Sequence, residues 1–143
     1  MNAIKNNNIA LILEAKEGNL NIVKQLVEQK GTDITAGDNL PLMIATKHGH
    51  LNVVKYLVEQ GADLLFDDGL ILAIASRSGH LDIVKYLVEQ GVDVVGSDNF
   101  ALITSVIYGH LDIVKYLVEQ GADITERLWN NSNPNPHIHQ NLT

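Results

Sequence analysis

The sequence predicts an all-α fold, a solenoid of about four stacked helix–turn–helix repeats. First, one segment recurs as GHLNVVKYLVEQGAD, GHLDIVKYLVEQGVD and GHLDIVKYLVEQGAD, starting at Gly49, Gly79 and Gly109. Second, a degenerate copy starts at Gly18, so that the four starting glycines are 31, 30 and 30 residues apart. Third, leucine and valine recur within each copy at helical spacing. Self-similarity at a fixed period of this length is typical of repeats that bury their apolar faces against each other.

Composition limits the classes of function. At 143 residues, 45% of them hydrophobic, the chain is long enough for one domain with an aliphatic core. A net charge of −7 argues against binding nucleic acid or an anionic membrane, since both need clustered lysine and arginine. The absence of cysteine excludes disulfides and thiolate metal sites. The apolar run Ile9–Leu13 is too short for a signal peptide or a membrane span, so we expect an intracellular, cytoplasmic protein.

The elements follow in order from these patterns. Residues 1–8 are polar and predict a frayed N-terminus, and residues 9–17 form a helix-permissive segment that ends at Gly18. After each starting glycine a helix of about ten residues is expected from the spacing of its apolar residues. Each of these helices stops at the glycine of a Gly-x-Asp triplet, the position that favours a left-handed residue. The glycines of the last three copies are Gly61, Gly91 and Gly121.

A more variable segment between these helices predicts a further helix in each unit. Asp38, Asp68 and Asp98 stand just before its apolar run and are candidate N-caps. Pro41 would then fall in a first turn, where its missing N–H is tolerated. One position of this helix carries only small residues, which would let neighbouring helices approach closely: Ala45, Ala75 and Ser105.

The predicted domain covers residues 9–126, with units at about 9–37, 38–67, 68–97 and 98–126. Residues 127–143 are rich in asparagine, proline and histidine and predict a disordered tail. Leu128 and Trp129 are the last large apolar residues and are candidates to fold back over the end of the final unit.

Units of this length, joined at Gly-His and Gly-Ala-Asp, resemble ankyrin repeats. The motifs that carry the resemblance are Gly49-His50-Leu51, Leu57-Val58 and Gly61-Ala62-Asp63, each with counterparts in the next two units. The usual Thr-Pro-Leu-His opening is reduced to Leu40-Pro41-Leu42-Met43 in one unit and is absent from the others. The period is 30 instead of the usual 33 residues, and the difference falls in the family's β-finger. We therefore expect an ankyrin-type solenoid with shortened finger loops, similar to the short repeats of giant DNA viruses.

The histidines and carboxylates are the candidates for metal binding and catalysis. Histidines in successive units would lie about 10 Å apart, too far to share an ion whose bonds to nitrogen are about 2 Å long. The resemblance implies that these histidines bond the backbone between units, which makes the turns structural: Gly49, His50, Gly79, His80, Gly109 and His110. His137 and His139 are not expected to form a metal site. The aspartates fit caps and loops, so we expect no catalytic residue, no cofactor and no enzyme.

Tyrosine recurs next to a lysine at one position in three units and would form a column along the stack: Tyr56, Tyr86 and Tyr116. Because these residues are the same in each unit, we interpret the column as a packing ladder, with partner recognition as the alternative. Selectivity requires positions that differ between units, and the largest differences stand just before each Gly-His. The resemblance places these positions on the concave side of the stack. The predicted partner-binding residues are Lys16, Lys47, His48, Arg77, Ser78, Ile107 and Tyr108.

A basic strip that ends in an apolar and aromatic pair suits a partner with acidic and hydrophobic features. The sequence therefore predicts a non-enzymatic protein–protein interaction module, most simply a monomer. One alternative is a structural fragment that self-associates end to end, because obvious polar caps are lacking. The other is an adaptor subunit that recruits a target protein to a larger complex.

Overall fold

The computed structural model describes residues 2–123, which form eight α-helices and no strand. Their bounds are α1 Asn2–Glu17, α2 Leu20–Lys30, α3 Ala36–His48, α4 Leu51–Glu59, α5 Leu70–Ser78, α6 Leu81–Glu89, α7 Gly96–Ile107 and α8 Leu111–Glu119. The helices pair in chain order into four helix–turn–helix units. This confirms the predicted all-α solenoid of about four units. Residues 2–8, for which the sequence predicts a frayed start, belong to α1.

The expectations for the tail lie outside the described residues. They concern the predicted disorder of residues 127–143, the folding back of Leu128 and Trp129, and the histidines His137 and His139.

The core runs along the stack between two rows of helices. We call α1, α3, α5 and α7 the first helices and α2, α4, α6 and α8 the second helices. Each first helix packs against the next first helix, and each second helix contacts the next second helix over a smaller area. One leucine per helix is fully buried in the last three units: Leu42, Leu57, Leu72, Leu87, Leu102 and Leu117. Ala45, Ala75 and Ser105 are also fully buried, as their small size predicted.

Each second helix of the last three units ends two residues before the glycine of its Gly-x-Asp triplet. Gly61, Gly91 and Gly121 have φ angles of 99°, 95° and 104°, so the predicted left-handed positions are confirmed. The aspartate that follows in the loop accepts a hydrogen bond from the backbone N–H two residues later, as in Asp63 Oδ1 with Leu65 N at 2.9 Å. These aspartates are therefore loop residues that hold a turn.

The loops between units contain the main departure from the sequence predictions. Three consecutive residues have positive φ where each of the last three units begins, inside the first-turn kinks of α3 and α7 and just before α5: Gly37-Asp38-Asn39, Asp67-Asp68-Gly69 and Ser97-Asp98-Asn99. An N-cap residue has an extended backbone, so the prediction that Asp38, Asp68 and Asp98 cap the first helices is wrong. The chain enters each of these helices through a left-handed turn. This compact turn occupies the place of the β-finger, whose shortening is confirmed.

An asparagine of this turn connects the start of a unit to the end of the same unit. Asn39 Oδ1 accepts a hydrogen bond from the N–H of Asp63 at 3.3 Å, and Asn99 Oδ1 accepts one from Asp123 at 3.4 Å. Gly69 occupies the equivalent position of the third unit and has no side chain to make this bond. In the second and fourth units, a hydrogen bond between the start and the end of the unit, and not a helix cap, therefore holds the loop.

Candidate functional site

The histidine turns bind each unit to the unit before it. The Nε2–H of His50 donates to the carbonyl oxygen of Lys16 at 2.7 Å. His80 and His110 make the same bond, at 2.9 Å, to the carbonyl oxygens of Lys47 and Arg77. A carbonyl oxygen only accepts, so the bonded ring nitrogen carries the proton. Each bond joins the start of a second helix to the last turn of the first helix in the preceding unit.

The glycine of each turn makes room for the next imidazole. A Cβ atom at Gly79 would lie 2.6 Å from Cε1 of His110, and one at Gly49 would lie 2.7 Å from Cε1 of His80. Both glycines also have positive φ, at 82° and 81°. Gly109 has the same backbone, but within residues 2–123 a Cβ atom there would meet no atom within 4 Å. Glycine is therefore required by the imidazole only where a following unit supplies one.

The tyrosines of the second helices also contact the preceding unit, through the ammonium groups of its lysines. The Nζ atoms of Lys24, Lys55 and Lys85 lie 5.6, 5.5 and 5.7 Å from the ring centroids of Tyr56, Tyr86 and Tyr116. The Tyr56 hydroxyl also donates to Oε1 of Glu28 at 3.1 Å. This geometry supports the packing ladder that the identical residues predict.

Burial and nearby carboxylates raise the pKa of these tyrosines. For Tyr56, desolvation raises the pKa most, followed by its hydrogen bond to Glu28 and the charge of that residue. Desolvation also raises the pKa of Tyr86 and Tyr116, with a smaller contribution from Glu59 and Glu89 respectively. The neutral phenols are therefore favoured in the folded state, as suits side chains that pack between units.

Two grooves lie along the first helices. The basic groove has a volume of about 510 Å³ and is lined by Lys16, Leu40, Met43, Ile44, Lys47, His48, Ile74, Arg77 and Ser78. The apolar groove has a volume of about 270 Å³ and is lined by Leu70, Ala73, Ile74, Arg77, Phe100, Thr104, Ile107 and Tyr108. The two grooves share Ile74 and Arg77, so they form one continuous surface along the stack.

All seven residues predicted to bind a partner line this surface. Five of them line the basic groove, and Arg77, Ile107 and Tyr108 line the apolar groove. The Arg77 guanidinium carbon lies 5.0 Å from the centroid of the Tyr108 ring, which connects the third unit to the fourth. Ile107 is 70% exposed although it is aliphatic. The structure thus brings the predicted residues together, whereas the loop residues Asp67 and Ser97 line neither groove.

The sequence reasoning missed the apolar floor of the grooves. Leu40, Met43, Ile44 and Ile74 line the basic groove, and Phe100 lines the apolar groove. Positions 40, 43, 44, 47 and 48 follow helical spacing and share one face of α3. Counting back from each variable pair by one and then two helical turns, to positions three or four and seven or eight residues earlier, leads to these floor residues.

The charges of the basic groove have one sign. None of its lining residues is an aspartate or a glutamate, although the whole chain carries a net charge of −7. Within residues 2–123, no group of three or more histidines and carboxylates could hold a metal ion. The arrangement presents positive charge above an apolar floor, a surface suited to recognition.

Comparison with known proteins identifies one family. The family model described as ankyrin repeats (3 copies) matches residues 1–68 and 65–127. No curated protein matches the chain significantly. Among the helices that the structure describes, none is long and apolar enough to cross a membrane.

Proposed function

Because the chain belongs to the ankyrin-repeat family, whose repeats are generally protein–protein interaction modules, we propose that it binds a partner protein through the basic and apolar grooves. The observation that carries this proposal is the distribution of variation between units. The turns and second helices repeat almost unchanged, whereas the residues that line the grooves differ from unit to unit. The proposed unit of binding is the repeat domain of residues 9–126, acting without catalysis.

The chemistry of the grooves favours protein recognition. An exposed tyrosine and an arginine stacked on it lie beside an apolar cavity. Tyrosine and arginine are enriched among the residues that contribute most to binding energy, especially beside pockets that exclude water. Tyr108, Arg77 and Ile107 are therefore the residues for which we expect the largest effect on binding. The same grooves would serve an adaptor, which would need a second surface for its other partner.

End-to-end self-association has less support. A second copy stacked after α8 would place its first unit against Gly109 and Lys115. That unit carries Asn19 and Gln25 where the later units carry the histidine and the tyrosine. The two contacts that join each later unit to its neighbour would then be missing. We expect a monomer, and sedimentation velocity over a range of concentrations tests this expectation.

The test of binding starts from an unbiased displayed peptide library selected on the folded chain. Selected ligands are then measured against the double variant Ile107→Glu/Tyr108→Ala. The control is Leu111→Glu, because Leu111 belongs to the same unit and is 76% exposed but lines neither groove. Loss of a residue pair that contributes about 2 kcal/mol weakens binding about thirtyfold. Circular dichroism confirms that both variants are folded.

We expect the double variant to lose the ligands and the control to retain them. Ligands that bind the double variant as well as the unchanged chain would contradict the assignment of the grooves. Repeated selections that recover no ligand would contradict the proposed function itself.

A further inference from the structure

Three cations lie in a row across the first three units. Lys16, Lys47 and Arg77 each stand in the last turn of a first helix, on α1, α3 and α5. Their carbonyl oxygens accept the histidine bonds described above, so the backbone of all three is held in the same way. All three side chains are exposed and line the basic groove, and no carboxylate lines it with them. The row therefore presents three positive charges that the groove does not neutralise.

The spacing of this row matches the three-residue repeat of a polyproline II segment. Packed helices lie about 8–10 Å apart, so consecutive cations are separated by about this distance along the stack. A polyproline II segment has three residues per turn and rises about 3.1 Å per residue, so every third side chain returns to the same edge after about 9.3 Å. A β-strand places residues i and i+3 on opposite faces. An α-helix rises about 1.5 Å per residue and needs six or seven residues for the same step.

In the fourth unit, the position that continues the row of cations carries an apolar residue. Ile107 occupies the position in the fourth unit that corresponds to Arg77, and it lines the apolar groove with Phe100 and Tyr108. A cavity of about 270 Å³ has room for one large apolar side chain. A segment that follows the row would therefore meet three cations and then an apolar cavity, each about three residues after the last.

We infer that the grooves bind an acidic protein segment in the polyproline II conformation, with a carboxylate at every third residue and a large apolar residue three positions beyond the last carboxylate. This inference rests on the proposed function and specifies its partner. Charge complementarity carries it, because three cations in a groove that no carboxylate lines attract an acidic segment, although the chain as a whole is acidic. A nucleic acid that follows the row would place a further phosphate over Ile107 and Phe100, where the apolar groove offers no cation beyond Arg77.

The test uses synthetic peptides and the full chain, with binding followed by fluorescence anisotropy. The spaced peptide carries three glutamates at every third position and a phenylalanine three positions after the last. It is made in both sequence directions, because the groove does not distinguish them by charge. One control has the same composition with the three glutamates adjacent, and a second has glutamine in place of glutamate. A single-stranded oligonucleotide of similar length is measured alongside.

We expect the spaced peptide, in one direction at least, to bind about tenfold more tightly than either control peptide. Lys47→Glu should weaken its binding about tenfold or more, since the variant replaces attraction by repulsion. Lys30→Glu is the matched control, because it makes the same change of charge in the last turn of α2, away from both grooves. It should alter affinity by no more than about twofold, as a distant exposed charge does.

A peptide with one reversed charge tests whether Lys47→Glu weakens binding by losing a charge contact or by damaging the fold. Replacing the middle glutamate of the spaced peptide by lysine should restore binding to the Lys47→Glu chain and weaken binding to the unchanged chain. Equal binding of the spaced and adjacent peptides would overturn the inference while the library ligands could still depend on Ile107 and Tyr108. Tighter binding of the oligonucleotide, lost in Lys47→Glu, would also overturn it. If the library ligands bound the Ile107→Glu/Tyr108→Ala chain as well as the unchanged chain, that result would contradict the proposed function instead.

Discussion

The second helices and the first-helix grooves follow opposite rules. Along the second helices the sequence LDIVKYLVEQ occurs twice and LNVVKYLVEQ once, and their tyrosines and lysines contact the neighbouring unit. In the grooves, Lys47, Arg77 and Ile107 occupy one position in three successive units. Identity between units therefore marks contacts that every unit makes with its neighbour. Variation marks the surface that those contacts leave open.

In the first unit, two of the positions that are identical in the later units carry different residues. Asn19 and Gln25 replace the histidine and the tyrosine there, and no described unit precedes it for such side chains to contact. Asn19 instead donates to Oε2 of Glu14 within its own unit, at 2.6 Å. The position of the histidine thus carries a side chain that bonds within its own unit.

The largest effect is expected from Gly79→Ala. The new Cβ atom would meet the imidazole of His110 and would also hold alanine in a left-handed conformation. The conformation alone costs about 1–2 kcal/mol, and displacing the ring with its hydrogen bond adds about 2 kcal/mol. Denaturant unfolding should show a loss of about 3–4 kcal/mol. Gly109→Ala is the control and should lose only about 1–2 kcal/mol, because its Cβ meets no atom. Equal losses would mean that the contact between units is not what requires glycine.

An intermediate effect is expected where one unit lacks a contact that its neighbours make. Asn39→Ala removes the acceptor for the N–H of Asp63 and should lower the free energy of unfolding by about 1–2 kcal/mol. Gly69→Asn supplies the missing acceptor near Asp93, and its Cβ would meet Gly96 only at an ordinary distance of 3.6 Å. It should raise the free energy of unfolding by about 0.5 kcal/mol, since asparagine tolerates this backbone and restricts the unfolded chain. A loss on adding asparagine would show that the bond is not general to the loops.

The smallest effect at neutral pH is expected from the tyrosine column. Unfolded tyrosines lose their protons near pH 10, whereas the raised pKa values of Tyr56, Tyr86 and Tyr116 keep the folded phenols protonated to higher pH. Stability from this source is therefore complete below about pH 10 and declines as pH rises through the folded pKa values. Tyr56→Phe should lower stability by less than about 1 kcal/mol at pH 7 and make the alkaline decline shallower. Unfolding measured from pH 8 to 11, with absorbance of the phenolate, checks both. An unchanged slope would contradict the role of burial.

Much of the fold could be predicted because repetition and helical spacing are local properties. The period identified the number of units, and Gly61, Gly91 and Gly121 identified the ends of second helices. The N-caps were predicted wrongly because a rule for neighbouring residues was applied to a turn whose asparagine bonds to a backbone N–H 24 residues along the chain. Consecutive left-handed residues are disfavoured for an isolated chain, so nothing local indicates the turns at Asp38 or Asp98.

The sequence by itself determined the helices, the glycine turns and the columns of identical and variable residues, because each depends on neighbours within one or two turns of the chain. Only the tertiary structure decided that Lys16, Lys47 and Arg77 line one cavity, and that the basic groove continues into the apolar groove. These residues lie about 30 positions apart in successive units. Their distances depend on how closely Ala45, Ala75 and Ser105 let the first helices pack, which no single unit specifies.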